Sequence, residues 1–383
     1  DLGTDNIAAI ACTDGSSVVY KGGAILSANQ FFAKQKAKSK KGKAVIAGVA
    51  AVSAASILTV RGIFHKVFAR QEKEDDAISL RYKDMSGMVR KKITIVSGST
   101  HLTGYLYGEA SAKGLVVVCH GIAGGGEDNL SMVKYMLDDG YQVFTFDYTG
   151  VYESEGASSV GFYQAVKDLN AVLGYIEASA SLKNLPVFLY GHSWGGYTAA
   201  AVLNFKHNIA GVITISGFSS PMAITKEAAG RIIPTLLVDL LLPFAALYQR
   251  IVFGKNYNLS AIDGINSCDV PVLVMHGKED EVISYEGSSI IAQRSHITNP
   301  NVEYYTETRP GKSNHMGIFF TKGGTAYYLA KKEELKMLHD LYYNRVPEKV
   351  LSKWFSRLDK KQANDLDQLF VKTVLDFLDK NCK

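Results

Sequence analysis

The stretch "VFLYGHSWGGYTAAAVLNF" (187–205) constrains the fold more than any other part of this 383-residue chain. The apolar run at 187–190 is typical of a buried strand, and the small residues from Tyr197 onward are typical of a helix packed on a sheet. Between them lies the pattern G-x-S-x-G, with Ser193 at its centre. So sharp a turn leaves little room for side chains two positions before and after the serine, which explains Gly191 and Gly195.

This geometry predicts that Ser193 is an exposed nucleophile. The alternative is a chance glycine-rich turn, since the chain contains 35 glycines. The strand before the turn and the helix after it argue against chance, because they are the context that such a nucleophile requires. The N-terminus of that helix also favours negative charge developing beside the serine.

From residue 91 onward, short apolar runs alternate with helical patterns. "KKITIVS" and "LTGYLYG" predict an opening antiparallel pair, and later runs predict strands at 115–119, 142–147, 187–190, 212–216, 272–276 and 302–306. Apolar strands separated by helices indicate an α/β fold, with a mostly parallel sheet of about eight strands flanked by helices. Ligands bind beyond the carboxyl ends of such strands, so polar residues directly after a strand are the candidates for chemistry.

A serine nucleophile needs a base, and the base needs an orienting acid. After a strand–turn–helix nucleophile, the chain order is serine, then acid, then histidine. Asp280 follows the strand predicted at 272–276, where an acid is expected. Glu279 and Glu281 are adjacent competitors, and we assign the acid to Asp280.

The base is assigned to His315, which lies in the loop "RPGKSNHMG" (309–317) after the last predicted strand. His276 is a rival, but it ends a strand and is more typical of a structural residue. His296 and His339 lie in helical patterns, where a surface histidine is the usual interpretation.

The tetrahedral intermediate of acyl transfer also needs hydrogen-bond donors for its oxyanion. We expect one donor to be the backbone N–H of Trp194, directly after the nucleophile. The second is the N–H of Ile122, in the loop "HGIAGGG" (120–126) after the third strand. That loop matches neither GxxxxGK[ST] nor GxGxxG, which argues against a nucleotide site.

Together these motifs resemble the α/β-hydrolase superfamily, and in it the monoacylglycerol-lipase-like and serine-aminopeptidase-like group of lipases and esterases. "HG" after the third strand, "GHSWGG" at the turn and "HGKEDEV" at the acid carry the resemblance. It covers roughly residues 90–320 and the final helix at 366–381. The resemblance implies the α/β-hydrolase fold, with Ser193 as nucleophile, Asp280 as acid and His315 as base.

Two features depart from the pattern of that group. Its members often carry D-x-R-G-x-G-x-S-x-G after the fourth strand, whereas this chain has "DYTGVYESEG" (147–156), with Thr149 for the arginine and Tyr152 for a glycine. This departure concerns the shape of the pocket mouth rather than the triad. The stretch after His315 is also long, and we expect a helical insertion at about 321–361, near the active-site side.

The insertion at about 218–270 lies where the superfamily places a cap. It contains "RIIPTLLVDLLLPFAALY" (231–248), whose two prolines and Asp239 make it a poor membrane span. One or two apolar helices over the pocket fit better, and an apolar cap favours an acyl or other hydrophobic substrate. The alternative is that these helices merely pack on the core.

The run "AVIAGVAAVSAASILTV" (44–60) has no charge and follows the basic run "KQKAKSKKGK" (34–43). This order is typical of a signal peptide or an N-terminal membrane anchor, and a buried helix of the domain is the alternative. We therefore predict a signal or anchor helix at 44–68 and a hydrolase domain at 69–383, and assign no role to 1–43. The protein would be membrane-anchored or exported, or cytoplasmic if 44–60 is not a targeting segment.

Composition excludes several other classes of protein. The net charge is +5, and the basic run supplies much of it, so charge does not indicate nucleic-acid binding. The four cysteines show no CxxC or Cys/His pattern, so we expect no metal site, and no motif calls for a cofactor. The sequence specifies no oligomeric state.

The expected function is that of a serine hydrolase, cleaving a small-molecule carboxylic ester with an acyl or lipid-like group through an acyl-enzyme. A peptidase, thioesterase or acyltransferase could use the same triad. A peptidase needs an acidic group for a free amine, and carboxylates are scarce in the cap. A non-catalytic binding protein of the same fold is a further alternative, against which the complete triad argues.

Overall fold

A sheet of eight strands forms the centre of the computed structural model, which describes residues 7–9, 19–21, 40–73, 78–109 and 112–382. Its strands are β3 (Arg90–Ser97), β4 (Thr100–Tyr107), β5 (Leu115–Cys119), β6 (Gln142–Phe146), β7 (Val187–His192), β8 (Gly211–Ile215), β9 (Val272–Gly277) and β10 (Val302–Glu307). Near the N-terminus, β1 (Ile7–Ala9) and β2 (Val19–Lys21) form a separate antiparallel pair.

The order of strands across the sheet is β10-β9-β8-β7-β5-β6-β4-β3. The pairs β3–β4 and β4–β6 are antiparallel, and the other neighbours are parallel. This confirms the predicted antiparallel opening and the mostly parallel sheet. The parallel strands end on one edge, so the loops after β5, β7, β9 and β10 meet there.

Helices cover both faces of the sheet. They are α1 (Lys40–Val67), α2 (Leu130–Asp138), α3 (Tyr163–Ala178), α4 (Trp194–Ala201), α5 (Pro221–Gly230), α6 (Thr235–Phe253), α7 (Ala261–Asn266), α8 (Lys322–Leu341), α9 (Glu348–Phe355), α10 (Lys360–Ala363) and α11 (Gln368–Asn381). Alternate residues of β5 enter different cores: Val117 packs with α3 and α4, whereas Val116 and Val118 pack with α2 and α11. This alternation is expected for a strand buried on both faces.

The uncharged run at 44–60 lies in α1, and the C-terminal part of this helix packs into the core. Val60, Phe64 and the following Phe68 are buried in the same cluster as the central strands. The rings of Phe64 and Tyr248, on α6, have centroids 5.8 Å apart. The predicted boundary between 68 and 69 therefore does not separate this helix from the hydrolase domain.

The N-terminal part of α1 has a different environment, since Ala47, Ala50 and Ala51 are exposed. Most of residues 1–39 lie outside the described part of the chain. Membrane anchoring through 44–60 therefore stays a prediction. It concerns a helix, α1, whose C-terminal end packs in the core.

Part of the segment predicted as a cap, 218–270, belongs to the core. Its helix α7 packs against α4. Ala261 and Ile265 of α7 are buried in the core cluster, and the Ala261 N–H donates to the Ser219 carbonyl at 2.9 Å. Apolar residues of a core helix and a cap helix have the same pattern, so the sequence could not place this end of the cap.

Within the described residues, one helical stretch, Thr235–Asn266, is long and apolar enough to cross a membrane, judged by length and composition alone. It comprises α6, with Pro243 in its interior, a 3₁₀ turn at Gly254–Asn258, and α7. A cap helix passes the same criterion, and the packing of α6 on α1 and of α7 on α4 favours that interpretation here.

The predicted insertion at 321–361 is helical, formed by α8, α9 and the start of α10. Its first helix packs on the chain before it, where Tyr328 stacks on Phe320 with ring centroids 6.0 Å apart. At its far end, Lys360 forms an ion pair with Asp84 at 2.6 Å. The insertion is thus fastened to the segment that precedes the sheet.

Replacing Phe64 with Ala tests whether α1 belongs to the domain. Because Phe64 is buried against Phe68 and Tyr248, we expect the free energy of unfolding to fall by about 3–5 kcal/mol, as for other buried aromatic truncations. Leu58→Ala, at a position on the same helix that is 63% exposed, should change it by less than about 0.5 kcal/mol. Urea denaturation measures the free energy of unfolding of both variants. Small and equal losses in the two variants would contradict the packing of α1 in the core.

Candidate active site

The turn between β7 and α4 holds Ser193 in a strained backbone conformation, with φ 57° and ψ −117°. A Cβ on Gly191 would lie 2.1 Å from the Gly195 carbonyl oxygen, and a Cβ on Gly195 would lie 2.0 Å from that of Cys119. Both distances are far below van der Waals contact, so only glycine fits at these two positions. The structure therefore agrees with the explanation suggested by the sequence, that the turn leaves no room for a side chain at these two positions.

Asp280 and His315 meet beyond the ends of β9 and β10. The His315 Nδ1 lies 2.8 Å from Asp280 Oδ2 and 3.0 Å from Oδ1. The Asp280 Oδ1 also accepts hydrogen bonds from the backbone N–H groups of Val282 and Ile283, at 2.9 and 2.8 Å. The carboxylate is thus fixed in position, and it leaves Nε2 as the free nitrogen of the His315 ring.

The neighbouring carboxylates have other partners. Glu279 accepts a hydrogen bond from the Ser313 hydroxyl, and Glu281 accepts one from the backbone N–H of His315 at 3.1 Å. Neither is hydrogen-bonded to the His315 ring. They hold the loop that carries the histidine, whereas Asp280 orients its ring.

His276 has a place that the sequence did not reveal. Its Nε2 lies 2.9 Å from the Ile283 carbonyl and 3.3 Å from Asp280 Oδ2, so both His276 and His315 contact the Asp280 carboxylate. The His276 ring is fully buried at the end of β9, away from solvent. His276 therefore helps to hold Asp280 in place. Its position at the end of β9, close to Asp280 in the chain, was the only sequence sign of this.

The surroundings of Asp280 favour its ionised form. Burial alone would raise the pKa of this carboxyl, but hydrogen bonds from His276 and His315, the charge of His315 and the Ile283 N–H hold it well below its usual range. An ionised Asp280 can stabilise an imidazolium at His315, which is what general-base catalysis requires.

His192 connects the nucleophile turn to the histidine loop. It directly precedes Ser193, its Nε2–H donates to the His315 carbonyl at 3.2 Å, and the two rings have centroids 4.5 Å apart. Burial and the proximity of His315 lower the pKa of His192 well below its ordinary value. Among the described residues no hydrogen bond reaches the Ser193 hydroxyl. Such catalytic hydrogen bonds are often long without substrate.

The two predicted oxyanion donors lie on either side of Ser193. Trp194 is the first residue of α4, and Ile122 follows Gly121, whose added Cβ would lie 3.6 Å from that of Ser193. Within the described part of the chain, neither the Trp194 nor the Ile122 N–H has a hydrogen-bond acceptor. Both donors are therefore available to a ligand.

His120 fixes the direction of one of these donors. Its Nδ1–H donates to the Gly121 carbonyl at 2.8 Å, and its Nε2 accepts from the Tyr148 N–H at 3.2 Å. Burial lowers the pKa of His120 to about 4, so the ring is neutral and can do both. The Gly121 carbonyl and the Ile122 N–H belong to one planar trans peptide and point in opposite directions, so His120 orients that N–H.

The rest of the glycine loop is held by two carboxylates, of which Asp147 is buried. Asp147 accepts from the Gly126 N–H at 2.8 Å, and Asp128 accepts from the Gly125 N–H at 2.5 Å. The ring of Tyr152 fills the space where Gly125 lacks a side chain, and its hydroxyl donates to Asp128. The tyrosine that departs from the family pattern therefore braces the oxyanion loop.

Comparison with known proteins finds similarity to hydrolases, among them lipases and esterases. The serine aminopeptidase (S33) family model matches residues 110–258. The zebrafish Danio rerio lysophosphatidylserine lipase is 25% identical over 46% of this chain and 46% of its own length, and the Saccharomyces cerevisiae monoglyceride lipase is 22% identical over 54% and 82%. A Pyrococcus furiosus esterase structure superposes with a TM-score of 0.50 at 18% identity, covering 82% of this chain and all of its own, and shows the same fold.

The chain is a lipase/esterase-like α/β-hydrolase. The resemblance stated from the motifs and the predicted fold class are thereby confirmed. The family match spans the oxyanion loop, the nucleophile turn and α5 and α6, and it ends before Asp280 and His315. In this α/β-hydrolase, the assignment of those two residues therefore depends on the geometry. The match to the Danio rerio lipase spans about half of that protein, so the substrate of that lipase is not assigned to this chain.

The pKa of Asp280 leads to a prediction about stability. A carboxyl whose folded pKa is depressed stabilises the fold above about pH 4, its unfolded pKa, and loses that contribution as the pH falls towards the folded value. Asp280→Asn removes this contribution. The difference in unfolding free energy between the wild type and this variant should therefore shrink as the pH drops from about 7 to about 3. Urea denaturation across this range measures it. Asp340→Asn, at an exposed position on α8, is the control. A deficit that is constant or grows in acid would contradict the account.

Proposed function

We propose that this α/β-hydrolase cleaves carboxylic esters through an acyl-enzyme. Ser193 is the nucleophile, His315 the general base and Asp280 the acid that orients it. The observation that carries the proposal is the contact of His315 Nδ1 with both carboxylate oxygens of a buried Asp280, next to the strained turn at Ser193.

In the proposed reaction, the Ser193 hydroxyl attacks the ester carbonyl while His315 Nε2 takes its proton. The tetrahedral oxyanion accepts hydrogen bonds from the Ile122 and Trp194 N–H groups. His315 then gives the proton to the leaving alcohol, and the acyl group remains on Ser193. A water molecule, deprotonated by His315 in the same way, releases the carboxylic acid and restores the serine.

The cap favours an ester over a peptide with a free amino terminus. An aminopeptidase needs an unengaged carboxylate to bind the substrate ammonium group. Glu227 and Asp239 are the acidic residues of the cap segment 221–258. Glu227 pairs with Arg231 and accepts from the Ser284 and Ser288 N–H groups, and Asp239 pairs with Lys226 at 2.7 Å. Thioester hydrolysis and acyl transfer would use the same triad and are distinguished by assay.

Hydrolysis of p-nitrophenyl butyrate tests the proposed triad. We expect Ser193→Ala to lower kcat by about 10⁶-fold, because the nucleophile is lost. Asp280→Asn should lower it by about 10⁴-fold, because the His315 ring loses its orientation and the stabilisation of its charge.

Ser356→Ala is the matched control, since this hydroxyl lies on the exposed end of α9 and bonds to the Lys353 carbonyl. Its kcat should equal that of the wild type. A Ser193→Ala enzyme with wild-type activity would show that another group is the nucleophile. An inactive wild type that still folds would favour the non-catalytic alternative.

We also propose that the protein associates with membranes through residues 44–60. The support is the uncharged sequence, the basic run before it and the exposure of Ala47, Ala50 and Ala51 on the N-terminal part of α1. The packed end of the helix, from Val60 onward, would hold the hydrolase domain close to the bilayer.

Flotation with vesicles of neutral and anionic phospholipid tests this association. Deleting residues 1–55 keeps the packed part of α1 and removes most of the uncharged run, so we expect binding to be lost. Deleting residues 1–33 keeps both the basic run and the helix, and binding should persist. Equal binding by the two truncated chains would refute the role of 44–60.

A further inference from the structure

An apolar cleft lies between the C-terminal part of α1 and the cap helix α5. It has a volume of about 240 Å³. From α1 it is lined by Ile63, Phe64 and Val67, and from α5 by Ile224 and Ala229. Ile63 remains 52% exposed at its edge, so the cleft opens to the surface.

The walls of the cleft offer no polar group to a ligand. Thr225 is the one lining residue with a polar side chain among those described, and its hydroxyl donates to the Pro221 carbonyl at 2.7 Å. A peptide in this cleft would leave its N–H and C=O groups without partners, which is costly. A hydrocarbon chain has no such groups. The chemistry of the cleft therefore selects an alkyl chain.

The volume of the cleft limits how much hydrocarbon it can hold. Sites for drug-sized ligands commonly enclose about 300–1,000 Å³, and this cleft, at about 240 Å³, is smaller. It suits a single acyl chain of moderate length, and it is too small for two chains side by side.

Aromatic side chains connect the cleft to the residue that follows the proposed nucleophile. Phe68 and Phe162 also line it, and their ring centroids lie 5.6 and 5.9 Å from that of Trp194. The Trp194 Nε1–H donates to the Phe162 carbonyl at 2.8 Å. Trp194 directly follows Ser193, so the two rings that line the cleft pack against the residue whose backbone N–H is the proposed oxyanion donor.

The other side of α5 is fixed to the loop that carries the acid. Glu227 accepts hydrogen bonds from the backbone N–H groups of Ser284 and Ser288, at 2.8 and 2.6 Å. Arg231, which pairs with Glu227, also donates to the Val282 carbonyl. These bonds hold α5 in place, so the wall of the cleft is formed before a ligand binds.

We propose that this cleft binds the acyl chain of the substrate and that α1 is therefore part of the substrate site. The inference rests on the proposed ester hydrolysis and narrows its substrate class to esters of a single acyl chain. The helix that carries the uncharged run 44–60 would thus also determine chain-length preference.

The test is a series of p-nitrophenyl esters from acetate to dodecanoate. Burying each added methylene is worth about 0.8 kcal/mol, so kcat/KM should rise up to about fourfold per methylene until the cleft is full. Ala229→Phe places a ring in the cleft and should abolish this rise, so that the dodecanoate ester is hydrolysed with about the same kcat/KM as the acetate ester. The matched control is Ala330→Phe, at an exposed position on α8, which should leave the rise unchanged.

Other outcomes separate this inference from the proposed function. If acetate is hydrolysed and Ala229→Phe keeps the full chain-length dependence, the cleft assignment is wrong but the triad stands. If Ala229→Phe does not fold, Ile63→Ser, at the open edge, should reduce the rise; an unchanged rise would overturn the inference. If the complete chain shows no chain-length dependence but deletion of residues 1–33 creates it, the chain's own N-terminal segment occupies the cleft and the inference is wrong.

Discussion

The close contact of backbone with backbone at the nucleophile turn is the constraint on which the site depends. Gly191 packs on the Gly195 peptide, and Gly195 packs on the end of β5, with no space for a Cβ at either position. Only this approach lets β7 turn directly into α4 and hold Ser193 at the edge where the parallel strands end. The loops after β5, β9 and β10 reach the same edge, and they carry the glycine loop at 120–126, Asp280 and His315 towards Ser193.

Around that turn, buried histidines position the groups that would react in the proposed mechanism. His120 orients the peptide of the oxyanion loop, and His192 holds the backbone of the loop that carries His315. His276 contacts the same carboxylate oxygen of Asp280 as His315 does. Burial is what makes this arrangement work, because it keeps His120 and His192 uncharged, whereas hydrogen bonds keep Asp280 ionised despite its burial.

Most of the fold and the positions of the proposed triad could be predicted from the sequence, because each depends on a local pattern. Apolar runs mark the strands, the glycines around Ser193 mark the turn, and Asp280 and His315 follow strand ends. The roles of His120 and His276 could not be predicted, since they depend on contacts such as Tyr148 N–H to His120. The burial of the C-terminal end of α1 was missed for the same reason: an apolar helix suits a membrane and a protein core equally, and the contact of Phe64 with Tyr248 places this end of the helix in the core.

The central claim is that Ser193 forms the acyl-enzyme, and peptide mapping after labelling with a fluorophosphonate tests it most directly. The account predicts a single adduct on the peptide that contains "GHSWGGY", absent from Ser193→Ala and formed at least about 10³-fold more slowly in Asp280→Asn. An adduct on another serine in the wild type, or labelling of Ser193→Ala at the wild-type rate, would contradict it.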